Sequence, residues 1–229
     1  MSVAEKPLGV YNVSYAEDRK TKRALRYRLR RRTDEVESAI RRFGRAGDKR
    51  ILDVGTADAA MLDLLYGRLG ASVCCYGMDF SLALLQSNRE SCALKIRGDA
   101  QAIPLLHGSI DVLVATAIIE HIDNVNAMME EVLRVLKPSG IVVMSTPNPL
   151  MAAISEKLGL LKDSEHQQMF TLKGLCQLLL DSGFIVLLAK RFMFSPVGFP
   201  GEKTIERFLG PLGLRLIMAN QLVVAKKRD

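Results

Sequence analysis

The chain has 229 residues, 48% of them hydrophobic and 25% charged, the balance of a folded domain with a sizeable core rather than of a disordered or fibrous chain. No apolar run reaches the roughly 18–20 residues of a membrane span, and the first twenty residues hold no apolar stretch of a secretory leader. Its four cysteines (Cys74, Cys75, Cys92 and Cys176) form neither a CxxC pair nor a zinc-spaced cluster with histidine, so a cytoplasmic chain with reduced thiols and no metal is expected.

The net charge of +7 is unevenly placed. Residues 19–50 hold 14 Lys/Arg against four Asp/Glu, a surplus of +10 that leaves −3 for the rest. Residues 1–16 read as an irregular arm with Pro7, Gly9, Tyr11 and Tyr15, and residues 17–46 as helix. Within that helix Leu25, Leu29, Val36, Ile40 and Phe43 share one face. Arg23, Arg26, Arg30, Arg31, Arg41 and Arg45 are expected mainly outside this stripe, and Asp34 followed by Glu37 allows a break near Thr33.

From Arg50 the pattern alternates. Strands are expected at Ile51–Val54, Ser72–Asp79, Ala93–Arg97, Ile110–Thr116 and Ile141–Ser145. Helices are expected near 59–69, 82–89 and 124–136, the last stopped by Lys137-Pro138-Ser139-Gly140. Two further strands, about 184–190 and 221–226, complete the series. Strands alternating with helices imply a mostly parallel, doubly wound α/β sheet covered on both faces. Residues 147–169 and 191–218 interrupt the rhythm. Their Met151, Phe192, Met193, Phe194, Phe199 and Phe208, with Phe170 nearby, suit the wall of a site for an apolar or amphipathic ligand.

In such a sheet ligands bind beyond the carboxyl ends of the strands. The first end carries Asp53-Val54-Gly55-Thr56-Ala57-Asp58-Ala59, a tight turn whose backbone amides face outward ahead of a helix. The second carries Asp79, 24 residues after Gly55, placed to accept both hydroxyl protons of a ribose; Ser81 is free to cap the next helix. The third carries Gly98-Asp99-Ala100, whose carboxylate and following amide suit the edge of an adenine. The fourth carries Thr116-Ala117-Ile118-Ile119-Glu120-His121, where His121 is a candidate general base and Glu120 and His121 are otherwise structural.

Taken in order, ILDVGTADAAML, YGMDFS, RGDAQAIPL, IDVLVATAIIEHI and LRVLKPSGIVVMSTPNP resemble the class I S-adenosylmethionine-dependent methyltransferase family, within it the enzymes of small molecules, quinones and lipids. The resemblance runs from about Arg50 to Lys190. It implies a Rossmann-like seven-stranded sheet of order 3-2-1-4-5-7-6 over residues 50–229, with residues 1–49 as an arm and helix over it. It also implies S-adenosylmethionine as cofactor. On this basis Gly55, Thr56 and Ala57 would meet the methionine part and Asp53 would support their loop. Asp79 would hold the ribose and Asp99 with Ala100 the adenine, with Phe80 and Thr116 beside them. Tyr11, Tyr15, Glu120, His121, Asn148 and His166 would face the acceptor. The family's first motif usually has three glycines, whereas here Ala57 and Ala59 follow Gly55, which leaves a non-catalytic relative open. A nicotinamide-dependent oxidoreductase shares the Asp79 logic but needs a G-x-G-x-x-G turn that this chain lacks. For residues 19–50 the expected partners are solvent, an anionic acceptor or an anionic membrane surface. Nucleic acid ranks lower, because only Tyr27 interleaves the arginines.

Overall fold

A computed structural model describes residues 13–47, 49–157, 168–199, 201–209 and 214–228. Helices α1 (Val13–Thr21) and α2 (Arg23–Phe43) open it. The break expected near Thr33 lies instead at Lys22, whose backbone is extended. Thr33 stays helical, its hydroxyl donating back to the Leu29 carbonyl at 2.8 Å rather than capping a new helix. Asp34 and Glu37 do not cap, since Arg68 bonds both at 2.9 and 3.1 Å.

Seven strands follow: β1 (Lys49–Val54), β2 (Val73–Asp79), β3 (Leu94–Arg97), β4 (Ile110–Thr116), β5 (Leu136–Pro147), β6 (Phe184–Phe192) and β7 (Asn220–Lys227). The helices between them are α3 (Ala60–Leu69), α4 (Leu82–Gln86), α5 (Val125–Val135), α6 (Pro149–Lys157), α7 (Leu172–Asp181) and α8 (Glu202–Leu209). The sheet order is β3-β2-β1-β4-β5-β7-β6, with β7 antiparallel to both neighbours and the remaining pairs parallel. This is the expected doubly wound topology. Strand order reverses between β1 and β4, which opens the crevice where such sheets take ligands.

Each face has its own core. One face packs α5 and α7 through Met128, Val132, Leu175 and Phe184; the other packs α2 and α3 through Val36, Ile40, Leu62 and Leu65. Val36 and Ile40 of the α2 stripe are fully buried, whereas Leu29 and Phe43 are partly so. The stop at Lys137-Pro138-Ser139-Gly140 ends α5 where expected, yet β5 starts at once. The register with β4 shifts between Ile110 and Val112 to absorb the extra residues, with Ser139 at φ +60°.

The two interruptions include α6 and α8. Among their apolar residues Phe192 and Met193 belong to the core under α2 rather than to an open wall. Phe194 and Phe199 meet edge to face at 6.1 Å, and Phe208 is 71% exposed. The segment after β6 is bound to α2: the Tyr27 hydroxyl donates to Glu202, Arg28 donates to the Pro196 carbonyl at 3.0 Å, and Arg31 pairs with Glu206 at 2.6 Å. Arg31 is therefore buried, not outside the apolar stripe as its position on the helix suggested. The acidic residues of α8 draw its guanidinium inward.

Candidate functional site

At the end of β1 the Gly55 and Thr56 amides both donate to the Met78 carbonyl, at 2.8 and 3.1 Å, which folds the chain sharply against β2. The turn runs through the left-handed region at Gly55 (φ +74°), Ala57 (+55°) and Ala59 (+63°). A Cβ at Gly55 would meet Ile118 Cδ1 at 2.5 Å, so glycine is required there. The two alanines hold a conformation that costs an L-residue about 1–2 kcal/mol. Their methyl groups point into packing: Ala57 is buried with Ala16 of α1 and Leu84 of α4, and Ala59 lies in the core under α3.

Asp79, at the end of β2, clamps this turn. One carboxylate oxygen accepts the Ala57 amide and the other the Ser81 amide, both at 2.8 Å. Ser81 caps α4 as expected, accepting the Leu84 amide. Each Asp79 oxygen thus retains a lone pair for another donor. Burial raises the Asp79 carboxyl above its usual range, opposed by the Ser81, Ala57 and Phe80 amides and by Arg19. Asp53, 3% exposed beneath the turn, is pushed by burial from its ordinary 3.8 to about 7, against the pull of the Thr56 hydroxyl and the Arg19 guanidinium.

Helix α1 lies over this loop. Ala16 is buried on Ala57 and Leu84. One turn on, Arg19 pairs with Asp58 and stacks on the Tyr15 ring at 5.1 Å. Burial lowers the pKa of Arg19, and Tyr15, Asp53 and Asp79 oppose the shift. Its Nε has no hydrogen-bond partner among the described residues. Neither Arg19 nor Asp58 stood out in the sequence; the signal was the helical spacing of Tyr15, Ala16 and Arg19 ahead of a charged segment.

At the third strand end the Asp99 carboxylate accepts the Gln101 amide at 2.9 Å, closing its own turn, and Ala100 is buried. Phe80 is 45% exposed beside Asp79. At the fourth, Thr116 stands opposite Ser145 of β5. Ala117 then turns left-handed (φ +54°) with its amide on the Ser145 carbonyl at 2.7 Å. A 3-10 turn, Ile119–His121, carries Glu120 and His121. Glu120 is 1% exposed. Burial raises its carboxyl above the usual range; His121, Arg32 and the Thr146 hydroxyl pull the other way. Its Oε2 has no hydrogen-bond partner among the described residues.

Asn148 is fully committed. Its side-chain amide donates to the Leu216 and Met218 carbonyls, both at 2.8 Å, and its oxygen accepts the Leu150 amide. It ties the end of β5 to the segment before β7 and has no atom turned to a ligand. Tyr11 and His166 lie outside the described residues. The expected cofactor residues Asp53, Gly55, Thr56, Ala57, Asp79 and Phe80 therefore surround one loop. Asp99 and Ala100 lie one strand beyond it, and Thr116, Glu120 and His121 lie across the crevice. Among the described residues no cluster of acidic, histidine or cysteine side chains could hold a metal, and no helix is long and apolar enough to cross a membrane.

The residues fit an adenosine-type cofactor with a charged tail. A carboxylate with spare lone pairs stands at the end of β2, where a ribose diol would lie, and a guanidinium with an unused Nε stands over the small-residue loop; the amides of Gly55, Thr56 and Ala57, expected from the sequence to face a ligand, are instead bonded to Met78 and Asp79.

Residues 24–189 match the family model for a methyltransferase domain. Among solved structures the chain is similar to one assigned as a methyltransferase from Haloferax volcanii, solved in complex with the Trm112 methyltransferase activator (16% identity, 96% of this chain and 100% of that one, TM-score 0.71). It is also similar to an S-adenosylmethionine-dependent methyltransferase from Aquifex aeolicus (14%, 95% and 99%, TM-score 0.65) and to another from Mesorhizobium loti (19%, 83% and 96%, TM-score 0.58). At these identities the structural likeness is one of fold.

Proposed function

The chain belongs to the methyltransferase domain family, enzymes that take their methyl group from S-adenosylmethionine, and on that premise we propose that it passes this methyl to a small-molecule or lipid-like acceptor by in-line displacement. The observation that carries the reading is the Asp79 clamp. A carboxylate held by the Ala57 and Ser81 amides keeps one lone pair per oxygen for a ribose diol.

When bound, the cofactor supplies a methyl already activated as a sulfonium, so the protein's task is orientation. Gly55, Thr56 and Ala57 give the methionine part a small-residue surface for close approach, over a loop that Asp53 supports. Arg19 offers a cation to its carboxylate. Asp99 and Ala100 take the adenine edge, with Phe80 and Thr116 flanking. Residues 1–49, including Tyr15 and α1, act as a lid over the catalytic domain formed by residues 50–229. Glu120 and His121 face the acceptor, and His121 accepts its proton where the nucleophile must lose one.

Two features favour this over the alternatives. The methyls of Ala57 and Ala59 are taken up by packing, so the two alanines are accommodated without a change in the turn, which argues against a relative that has lost cofactor binding. A hydride-transferring enzyme gives Asp99 no role.

Titration calorimetry tests the reading. S-adenosylhomocysteine is expected to bind and NAD not to. Asp79→Ala is expected to weaken binding at least about tenfold, through the loss of charge-assisted hydrogen bonds. Unchanged affinity in a folded variant, or binding of NAD instead, overturns it.

A further inference from the structure

We propose that Arg32, with Ser145 and Asn220, forms the subsite that holds an anionic group of the acceptor, a carboxylate or a phosphate. This deepens the methyl-transfer reading and rests on it for the word acceptor; the anion subsite itself is testable apart from it.

The other inward-turned cations of the two N-terminal helices each have an acidic or carbonyl partner. Arg19 pairs with Asp58, Arg31 with Glu206, and Arg28 donates to the Pro196 carbonyl. Arg32 differs. Its one hydrogen bond among the described residues is a long 3.4 Å contact from Nη2 to Asn220 Oδ1 and it enters no ion pair among them; its buried Nε is without a partner, as are those of Arg19 and Arg31. Arg32 is half-buried, and a guanidinium partly withdrawn from water without a carboxylate carries a desolvation cost that a complementary anion offsets.

Its position joins it to the crevice. Asn220 opens β7 and stands opposite Pro147 at the end of β5. Ser145, two residues earlier on the same face, is fully buried, and its hydroxyl has no partner among the described residues. Thr116 of β4 is the register neighbour of Ser145. Arg32 therefore stands over the carboxyl ends of β4 and β5, with the Arg19 loop on one side and Glu120 on the other; both groups lie close enough to respond to its charge. Glu120 does not neutralise it by direct pairing.

The donor set is the planar fork of Arg32 plus the hydroxyl of Ser145; Asn220 positions the fork, its Oδ1 accepting from Arg32 while its amide donates to Met193 Sδ. That set matches the oxygen array of a carboxylate or phosphate, and the fixed positive charge of Arg32 disfavours an ammonium. Spaced away from the Asp79 clamp, it would hold the far end of an acceptor while the nucleophile turns toward the cofactor loop. A free metabolite and a lipid headgroup share this chemistry.

The test is a thermal-shift titration, read at constant ionic strength set with chloride, with and without saturating S-adenosylhomocysteine. The probes are acetate, inorganic phosphate, a short-chain phosphatidylglycerol below its micelle concentration, and ethylammonium. The anions are expected to raise the melting temperature of the wild type and ethylammonium not to. Arg32→Gln is expected to weaken the anion response at least about tenfold. Arg26→Gln, which removes an exposed arginine, should leave it intact. Ser145→Ala provides a second, small substitution in the same subsite should Arg32→Gln not fold, and is expected to weaken the response too. A larger response to the short-chain lipid than to phosphate identifies a headgroup, and the reverse a soluble acceptor. An anion response that survives in folded Arg32→Gln and Ser145→Ala, or that vanishes equally in Arg26→Gln, overturns the subsite, as does stabilisation by ethylammonium alone. Failure of S-adenosylhomocysteine to bind overturns the methyl-transfer reading while leaving the anion arm readable.

Discussion

Asp53 sits at the end of β1 with its carboxyl out of water, and its acidity reports that position. Its folded value of about 7 lies above the ordinary 3.8. Between these two values the folded chain holds a proton that the unfolded chain has released. Stability therefore falls as pH rises through that window and levels off above about 7, with a ceiling of about 4 kcal/mol for a shift of this size. Asp53→Asn keeps the shape and removes the titration. Urea unfolding between pH 4.5 and 7.5 should give a shallower fall for the variant than for the wild type; equal slopes would place the cost elsewhere. Asp79 and Glu120, also raised by burial, contribute in the same direction and account for the slope that remains. At this scale the sequence was informative wherever a side chain acts at its own strand end, as Asp53, Gly55 and Asp79 do. It was silent on Arg19 and Arg32, which serve a crevice formed by residues far along the chain. Nothing local separates an arginine that turns in from one that turns out.

Elements with a strong pattern were legible. β4 is apolar from Val112 to Ala115 because both its faces are covered, and the strand has the expected bounds, Ile110–Thr116. The helix break was not legible, because Thr33 satisfies itself within the helix and Asp34 and Glu37 spend their charge on Arg68 rather than on caps. Asn148 shows the same limit: a polar residue beyond a strand end looks like a ligand contact, but here it fastens elements together. Its side chain holds two carbonyls ahead of β7. Asn148→Ala leaves both without a donor in a buried place, at about 1–3 kcal/mol each. We expect a loss of about 2–4 kcal/mol in urea unfolding with S-adenosylhomocysteine affinity kept within about threefold. A large loss of cofactor affinity with unchanged stability would return Asn148 to the ligand side.

For the molecule as a whole, the basic surplus of residues 19–50 divides in two. Arg19, Arg28, Arg31 and Arg32 are spent on the interior and the crevice, whereas Arg23, Arg26 and Arg30 are exposed and, among the described residues, enter no ion pair. That outer row is the surface we expect to meet anionic membranes. Sedimentation with phosphatidylglycerol vesicles should carry the protein down at low salt, with binding lost as salt shortens the screening length. Replacing the three arginines with glutamine should abolish it. Neutral vesicles that bind equally well would argue against charge as the cause. The sheet order has a different consequence, for a chain still being made. β6 is synthesised before β7, yet β7 lies between β5 and β6 and pairs with both. Until residues 220–227 have left the ribosome, β5 and β6 each present a bare edge, and residues 141–145 include an apolar run. Open edges of this kind pair readily with other nascent chains. The closing strand therefore sets the moment at which the newborn protein stops being sticky, and a ribosome stalled shortly before residue 220 would hold it in its most aggregation-prone form.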